Sequence, residues 1–419
     1  LNHDLGFTCN CTCAKCEDGY NTDESGYSDD DDDFKKKRTM PCLCTDELRI
    51  ARFEEFLNKF VFTRSLEDPA LKDTLIQQIA QLERTCTEID YHPGSNNQVI
   101  DLVHPSLFCY VKDVTPVRSD LAQPIPVSDA VFQWLPAEFS VLRNEDNTVQ
   151  SVSIDSYINN LPRAQNEGLY QSIASVFGHL VPQFDQALQA LHDSSRLTSP
   201  SAPATLAHCQ VIVKLANIVV APGEVFPGGH WHLEGMRTER IVATGIYYYE
   251  MSNVQDNQLQ FRSTIADVYD IPYPQNGMSS VHHHFGMVEK VGEDSNYDRE
   301  MESTIDLGEV ATKEDLLLVF PNILQHKVSE VQLQDATQPG TRKILCFFLV
   351  NPYEEVLSTA HVAPQQPSSE ASVTPSGAES GVMSLEDAKL YRELLMFQRK
   401  YEIDDQTNFF ERGWSLCEH

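Results

Sequence analysis

The 419-residue sequence has no run of about eighteen apolar residues, so it offers no segment able to span a bilayer core as a helix. Its first residues, "LNHDLGFTCN", lack the basic and apolar stretches of a secretory signal, and a start at Leu1 leaves room for an upstream piece. Basic residues are scarce: 31 Lys and Arg stand against 62 Asp and Glu, for a net charge of -31. Such a chain repels a phosphate backbone, which excludes nucleic acid as a partner except through a local patch. There is no internal repeat, and no helical pattern alternates with the strand-like runs, which argues against a parallel βαβ sheet. The 11 cysteines do not form a disulfide framework: Cys86, Cys109, Cys209, Cys346 and Cys417 lie far apart in segments that read as structured. The expected setting is therefore a reducing one, the cytoplasm.

What is present divides the chain by texture. Hydrophobic residues make up 41%, enough for a globular protein with a substantial core. Residues 1–45 differ from the rest: "CNCTCAKC", then acidic Asp29 to Asp33, then basic "KKKR" at Lys35 to Arg38. Low apolar content predicts a disordered or tethered arm. Cys9, Cys11, Cys13 and Cys16, with Cys42 and Cys44 beyond, could alternatively hold a structural zinc, and the basic run could be a nuclear address instead of a solvated charge run. Residues 46–204 read as a mainly helical region. Leu48, Phe53, Phe56, Leu57 and Phe60, then Leu71, Leu75, Ile79 and Leu82, predict two amphipathic helices. Leu169, Ile173, Phe177, Leu180, Phe184 and Leu188 predict a third from about Glu167 to Leu191, kinked at Pro182. From 205 to 360, β-branched and aromatic runs such as "CQVIVKLANIVVA", "RIVATGIYYYE", "DLLLVF" and "RKILCFFLV" are broken by turn residues. Residues 361–383 read as a Pro/Ser-rich linker or loop, and 384–419 as a helical tail opened by Ser384-x-x-Asp387. The fold class expected is α+β: a double-stranded β-helix, or cupin-like jelly roll, with flanking helices.

Within the strand-rich part, "GGHWHLEG" places His230, His232 and Glu234 at alternate positions, hence on one face if the segment is extended. Two histidines and one carboxylate suit a catalytic iron with open positions. His232 and Glu234 supply two ligands, and the third is His326 in "FPNILQHKVSEV", at the start of a strand-like segment after a turn at Pro321-Asn322. Arg342 in "GTRKILCFFLVNP" opens an apolar strand expected to pair with the strand of His326. An Arg in that place needs an anion, and the distal carboxylate of 2-oxoglutarate is the natural one for an iron oxygenase. A cupin reading would use His230 and His232 with a Glu at position 236 or 237, but Met236 and Arg237 stand there and Glu239 comes too late. His282 to His284 read as a loop, since consecutive residues point different ways. Lys214 and Arg262 are charges inside strand-like runs, candidates for co-substrate and substrate contacts or else paired strand-edge charges. Tyr247, Tyr248 and Tyr249 alternate faces, and Tyr248 is the one named for the cofactor side.

The segments "VIDLVHPSLFCYV", "SYINNLP", "KLANI" with "GGHWHLEG", "ERIVATGIYYYE", "FPNILQHKV", "GTRKILCFFLVNP" and the terminal "LCEH" occur here in order from about residue 46 to the end. In them the chain resembles a large, mainly fungal family catalogued as a domain of unknown function. That family's motif in turn resembles the 2-oxoglutarate and iron(II) dependent oxygenases. The resemblance implies iron(II) on His232, Glu234 and His326, 2-oxoglutarate on Arg342, molecular oxygen, and hydroxylation of a small-molecule or peptide substrate. Two departures stand out: Glu234 occupies a place where Asp is usual, and His230 one that is usually small. The competing class is a jelly-roll binding or regulatory protein without turnover.

Overall fold

The computed structural model describes residues 46–86, 88–121, 125–194, 205–255, 257–264, 289–290, 300–302, 304–367, 382–410 and 413–414. The first part alternates helices with short strands: α1 (Asp46–Phe60), β1 (Phe62–Ser65), α2 (Pro69–Thr85), β2 (Val99–Val103), β3 (Tyr110–Val111), β4 (Phe132–Gln133), β5 (Ala137–Arg143), β6 (Val149–Ile154) and α3 (Arg163–Asp193). The strand-rich part follows with β7 (His208–Val220), β8 (Ile241–Ser252), β9 (Asn257–Thr264), β10 (Glu289–Lys290), β11 (Glu300–Glu302), β12 (Thr304–Thr312), β13 (Leu316–Pro321), β14 (Gln325–Val328) and β15 (Gly340–Val350). The chain closes with α4 (Leu385–Phe410) and β16 (Gly413–Trp414).

Local signals account for the helices. α2 begins with Pro69 in its first turn while Asp68 Oδ1 accepts the Leu71 amide at 3.0 Å, and Leu75 and Ile79 point inward. Ser384 Oγ accepts the Asp387 amide at 3.0 Å and so starts α4 where the sequence pattern places it. The break in α3 lies at Asn166 and not at Pro182. Val181, Gln183 and Phe184 are buried on both sides of the proline, so packing holds the helix through it.

Apart from the small sheets β3-β4 and β10-β11-β16, the described strands form two facing antiparallel sheets. The larger runs β1-β13-β8-β15-β7-β5-β6, with β2 also on β7; the smaller runs β12-β9-β14. An isolated bridge between His232 and His326 adds the 232 segment to the free edge of β14. From β7 onward the chain therefore visits larger, smaller, larger, smaller, smaller, larger, smaller and larger sheet in turn, which is a jelly roll. Segment 46–204 contributes β1, β2, β5 and β6 to the larger sheet besides its three helices.

Strand alternation sorts the core. On β13 and β15, Leu316, Leu318, Phe320, Cys346 and Phe348 face the space between the sheets. Leu317, Val319, Leu345, Phe347 and Leu349 face α3, where the Phe177 ring lies 5.3 Å from that of Phe347. Each such fully buried side chain contributes about 1.5–3 kcal/mol. Residues 361–367, placed in the linker by composition, are partly packed, with Val362 and Gln365 buried. Residues 1–45, with their cysteines and "KKKR", and His282 to His284 lie outside the described residues.

Candidate metal centre

Two glycines frame the segment carrying the first candidate ligands. Gly228 has φ +91, and a Cβ there would lie 2.7 Å from the Val328 carbonyl oxygen; Gly235 has φ +73, and a Cβ would lie 2.5 Å from Ile241 Cδ1. Neither place accepts a side chain. Between them the chain reaches β14, where the His232 amide donates to the His326 carbonyl at 3.2 Å and the His326 amide to the His232 carbonyl at 3.1 Å. Directly opposed residues of an antiparallel pair share a face. The two rings stand 4.4 Å apart, centroid to centroid.

Glu234 completes the group. Its Oε1 lies 3.6 Å from His232 Nε2 and 3.3 Å from His326 Nε2. One ligand atom from each of the three falls within 4.8 Å of the others, a set able to hold a metal ion. Asn322 fixes the carboxylate's backbone from both sides: its Oδ1 accepts the Glu234 amide at 2.8 Å, and its Nδ2 donates to the carbonyls of Glu234 at 2.9 Å and Ile241 at 3.1 Å. In the sequence Asn322 is legible only as a turn residue, and its place between Pro321 and His326 is the one signal of a further role. His232 Nδ1 donates to the His230 carbonyl at 2.7 Å, which leaves Nε2 facing Glu234. His230 thus contributes its carbonyl, while its side chain is exposed and outside the group.

The three groups polarise one another. Burial alone would raise the Glu234 carboxyl, but the two imidazoles hold it well below the usual carboxylate range. Burial would lower His232, and Glu234 outweighs it and raises the ring. His326, buried and beside His232, is pushed down. With both rings neutral, a carboxylate between two imidazole nitrogens is an attractive position for a cation.

Arg342 lies in the same interior. It alternates with Ile344, Cys346 and Phe348 on the inner face of β15 and is 1% exposed. Its guanidinium stacks 4.8 Å over the ring of Tyr248 on β8. Arg342 Nε and Nη1 and the Tyr248 hydroxyl have no hydrogen-bond partner among the described residues. Burial pushes the Cys346 thiol up to about 12, and the charges acting on it are those of Lys214, Glu234 and Arg342. These groups therefore surround one interior. Lys214 is half-buried on the inner face of β7, between Val213 and Leu215, which face α3. The strand of Arg342 does not pair with that of His326: β15 lies between β7 and β8, and β14 pairs with β9 in the opposite sheet. The two residues therefore stand on facing sheets.

Arg262 is placed elsewhere. Its neighbour Phe261 faces inward against Phe320 and His326, so Arg262 points to the outer face. There its guanidinium lies 4.7 Å over Trp231 and its Nε donates to Gln325 at 2.7 Å. A second group, His92, Asp101 and His104, also lies within 4.8 Å, with His92 Nδ1 2.8 Å from Asp101 Oδ2. The Ser106 amide occupies His104 Nδ1 at 3.2 Å, and Lys214 and Arg392 add positive charge around it. Both features disfavour a cation there, and the group reads as a buried His-Asp pair.

In fold, solved 2-oxoglutarate/iron(II) oxygenases are among the similar structures. The Fe(II)/α-ketoglutarate-dependent dioxygenase TqaL is 12% identical over 74% of this chain and 93% of its own, with a TM-score of 0.33. A Pseudomonas putida prolyl-4-hydroxylase is 8% identical over 72% and 99%, with a TM-score of 0.26. An oxidoreductase of the 2OG-Fe(II) oxygenase family from Burkholderia pseudomallei is 9% identical over 75% and 94%, with a TM-score of 0.28. Likeness at this level adds nothing to the site, which rests on its own geometry. No curated protein matches the chain in sequence. The family model of DUF4246, a protein of unknown function, matches residues 45–206 and 204–372, and so stops short of α4 and the terminal "LCEH". By that match over most of its length, the chain belongs to the DUF4246 family.

Proposed function

We propose that this protein is an oxygenase that uses iron(II) and 2-oxoglutarate to oxidise, most simply to hydroxylate, a small-molecule or peptide substrate. The observation that carries this reading is the conjunction, in one jelly-roll interior, of a His-Glu-His group and a buried guanidinium whose Nε and Nη1 have no hydrogen-bond partner among the described residues. A guanidinium withdrawn from water needs an anion, and a carboxylate matches its planar fork.

The residues present fit the absent groups. His232, Glu234 and His326 would hold the metal, and three protein ligands leave positions for a chelating co-substrate and oxygen. Arg342 would grip the distal carboxylate of 2-oxoglutarate, with the Tyr248 hydroxyl beside it. When bound, iron and 2-oxoglutarate supply the oxidising chemistry: oxygen is consumed, the keto acid becomes succinate and carbon dioxide, and one oxygen atom passes to the substrate. The chain's own part is positional. Asn322 holds Glu234 in place, the His230 carbonyl fixes the tautomer of His232, and the rings of Phe320 and Phe261 keep water from His326.

Metal analysis of two variants tests the ligand set. His326→Ala is expected to lose iron(II), whereas His230→Ala keeps wild-type stoichiometry. Loss in both would point to a cupin-type site built on His230; retention in both would remove this group from the chemistry.

A further inference from the structure

Helix α4 carries apolar residues on two opposite faces. One is docked: Ala388 and Leu395 are fully buried, Arg392 Nη1 donates to both carboxylate oxygens of Asp90 at 2.8 and 2.7 Å, and Arg399 reaches Glu239 across the Trp134 ring. The other is open to solvent, with Leu390 53%, Leu394 45%, Phe397 61% and Tyr401 58% exposed. Their steps of four, three and four residues are those of a coiled-coil seam. Asp387 and Asp404 take the next positions and limit the seam to these four residues.

The flanks indicate the occupant. Glu393 and Lys400, both exposed, sit seven residues apart on one side of the stripe. If two copies of α4 pair antiparallel, Leu394 meets Phe397 of the second copy, Leu390 meets Tyr401, and each Glu393 faces a Lys400. A parallel pairing would instead set Glu393 beside the uncharged Gln398. We propose that this face of α4 binds a second copy of the same chain, antiparallel, through Leu390, Leu394, Phe397 and Tyr401 with crossed Glu393-Lys400 pairs. Arg392 and Arg399, on the opposite face, keep the helix on its own core in both copies.

Sedimentation equilibrium of the full chain over a concentration series tests this. A dimer is expected in the wild type. Phe397→Glu, Glu393→Lys and Lys400→Glu should each raise its dissociation constant by about ten-fold or more, with the melting temperature of the monomer unchanged. The double variant Glu393→Lys with Lys400→Glu should return to within about three-fold of wild type, because it restores both crossed pairs. A wild type that stays monomeric overturns the proposal, as does a dimer indifferent to these substitutions or a double variant as weak as the single ones. A chain lacking residues 1–45 that dimerises while the full chain does not would show that the N-terminal arm covers the stripe, and would overturn it equally.

Discussion

At Arg342 a guanidinium 1% exposed presents Nε and Nη1 to no acceptor among the described residues, with Tyr248 below it. Removing one partner of a buried hydrogen-bonded charge pair costs about 2–5 kcal/mol, or roughly thirty- to several-thousand-fold in affinity. Arg342→Ala should therefore weaken 2-oxoglutarate by that order while iron stoichiometry stays unchanged, as read by co-substrate KM in a succinate-release assay. Arg342→Lys should fall between the two, because an ammonium supplies charge without the planar fork. If Arg342→Ala binds 2-oxoglutarate as wild type does, Lys214, on the same interior, becomes the anchor to test. The residues of this site that announce themselves in the sequence are those whose chemistry is unusual for their setting: alternating His and Glu between glycines, and an Arg heading an apolar strand. Asn322 does not, because a Pro-Asn turn explains it equally well until Glu234 is seen beside it.

Elements set how far such residues can be trusted to meet. Asn322 belongs to the turn between β13 and β14, yet its side chain holds the Glu234 backbone at 2.8 and 2.9 Å, so one turn ties both halves of the candidate ligand set. Asn322→Ala should lower iron(II) affinity by about 10- to 100-fold without abolishing binding, as measured by calorimetric titration under argon. Unchanged affinity would mean that Glu234 is positioned by its own backbone segment alone. Among the described residues, periodicity located the first three helices, since an apolar stripe against a core is a local pattern, and a capping pattern located the fourth. Neither gave strand partners. Register between strands depends on contacts distant in sequence, so β14 pairs with β9 where the sequence suggested β15, and the short strands β1, β2, β5 and β6 within the helical-looking region escaped notice. Arg262 shows the same limit: a charge in a strand is visible, but the face it occupies follows from its neighbours Phe261 and Gln325.

For the whole molecule, the family match begins at residue 45, and among the residues whose burial is described the hydrophobic clusters already include Phe53, Phe56 and Leu57 of α1. Removing residues 1–45 should thus leave a cooperative melt and iron stoichiometry as in the full chain. An insoluble or non-cooperative product would make the cysteine arm structural, with zinc analysis of the full chain as the companion measurement. Among the described residues, no helix is long and apolar enough to cross a membrane. The larger claim is that one jelly-roll interior brings together a metal group and a carboxylate anchor, and it is tested most directly by anaerobic titration with iron(II) followed by 2-oxoglutarate. A weak visible charge-transfer band is expected that appears only when both are present, is lost in His326→Ala, and needs far more 2-oxoglutarate to form in Arg342→Ala. A folded, iron-loaded wild type that shows no band at saturating 2-oxoglutarate would contradict that claim.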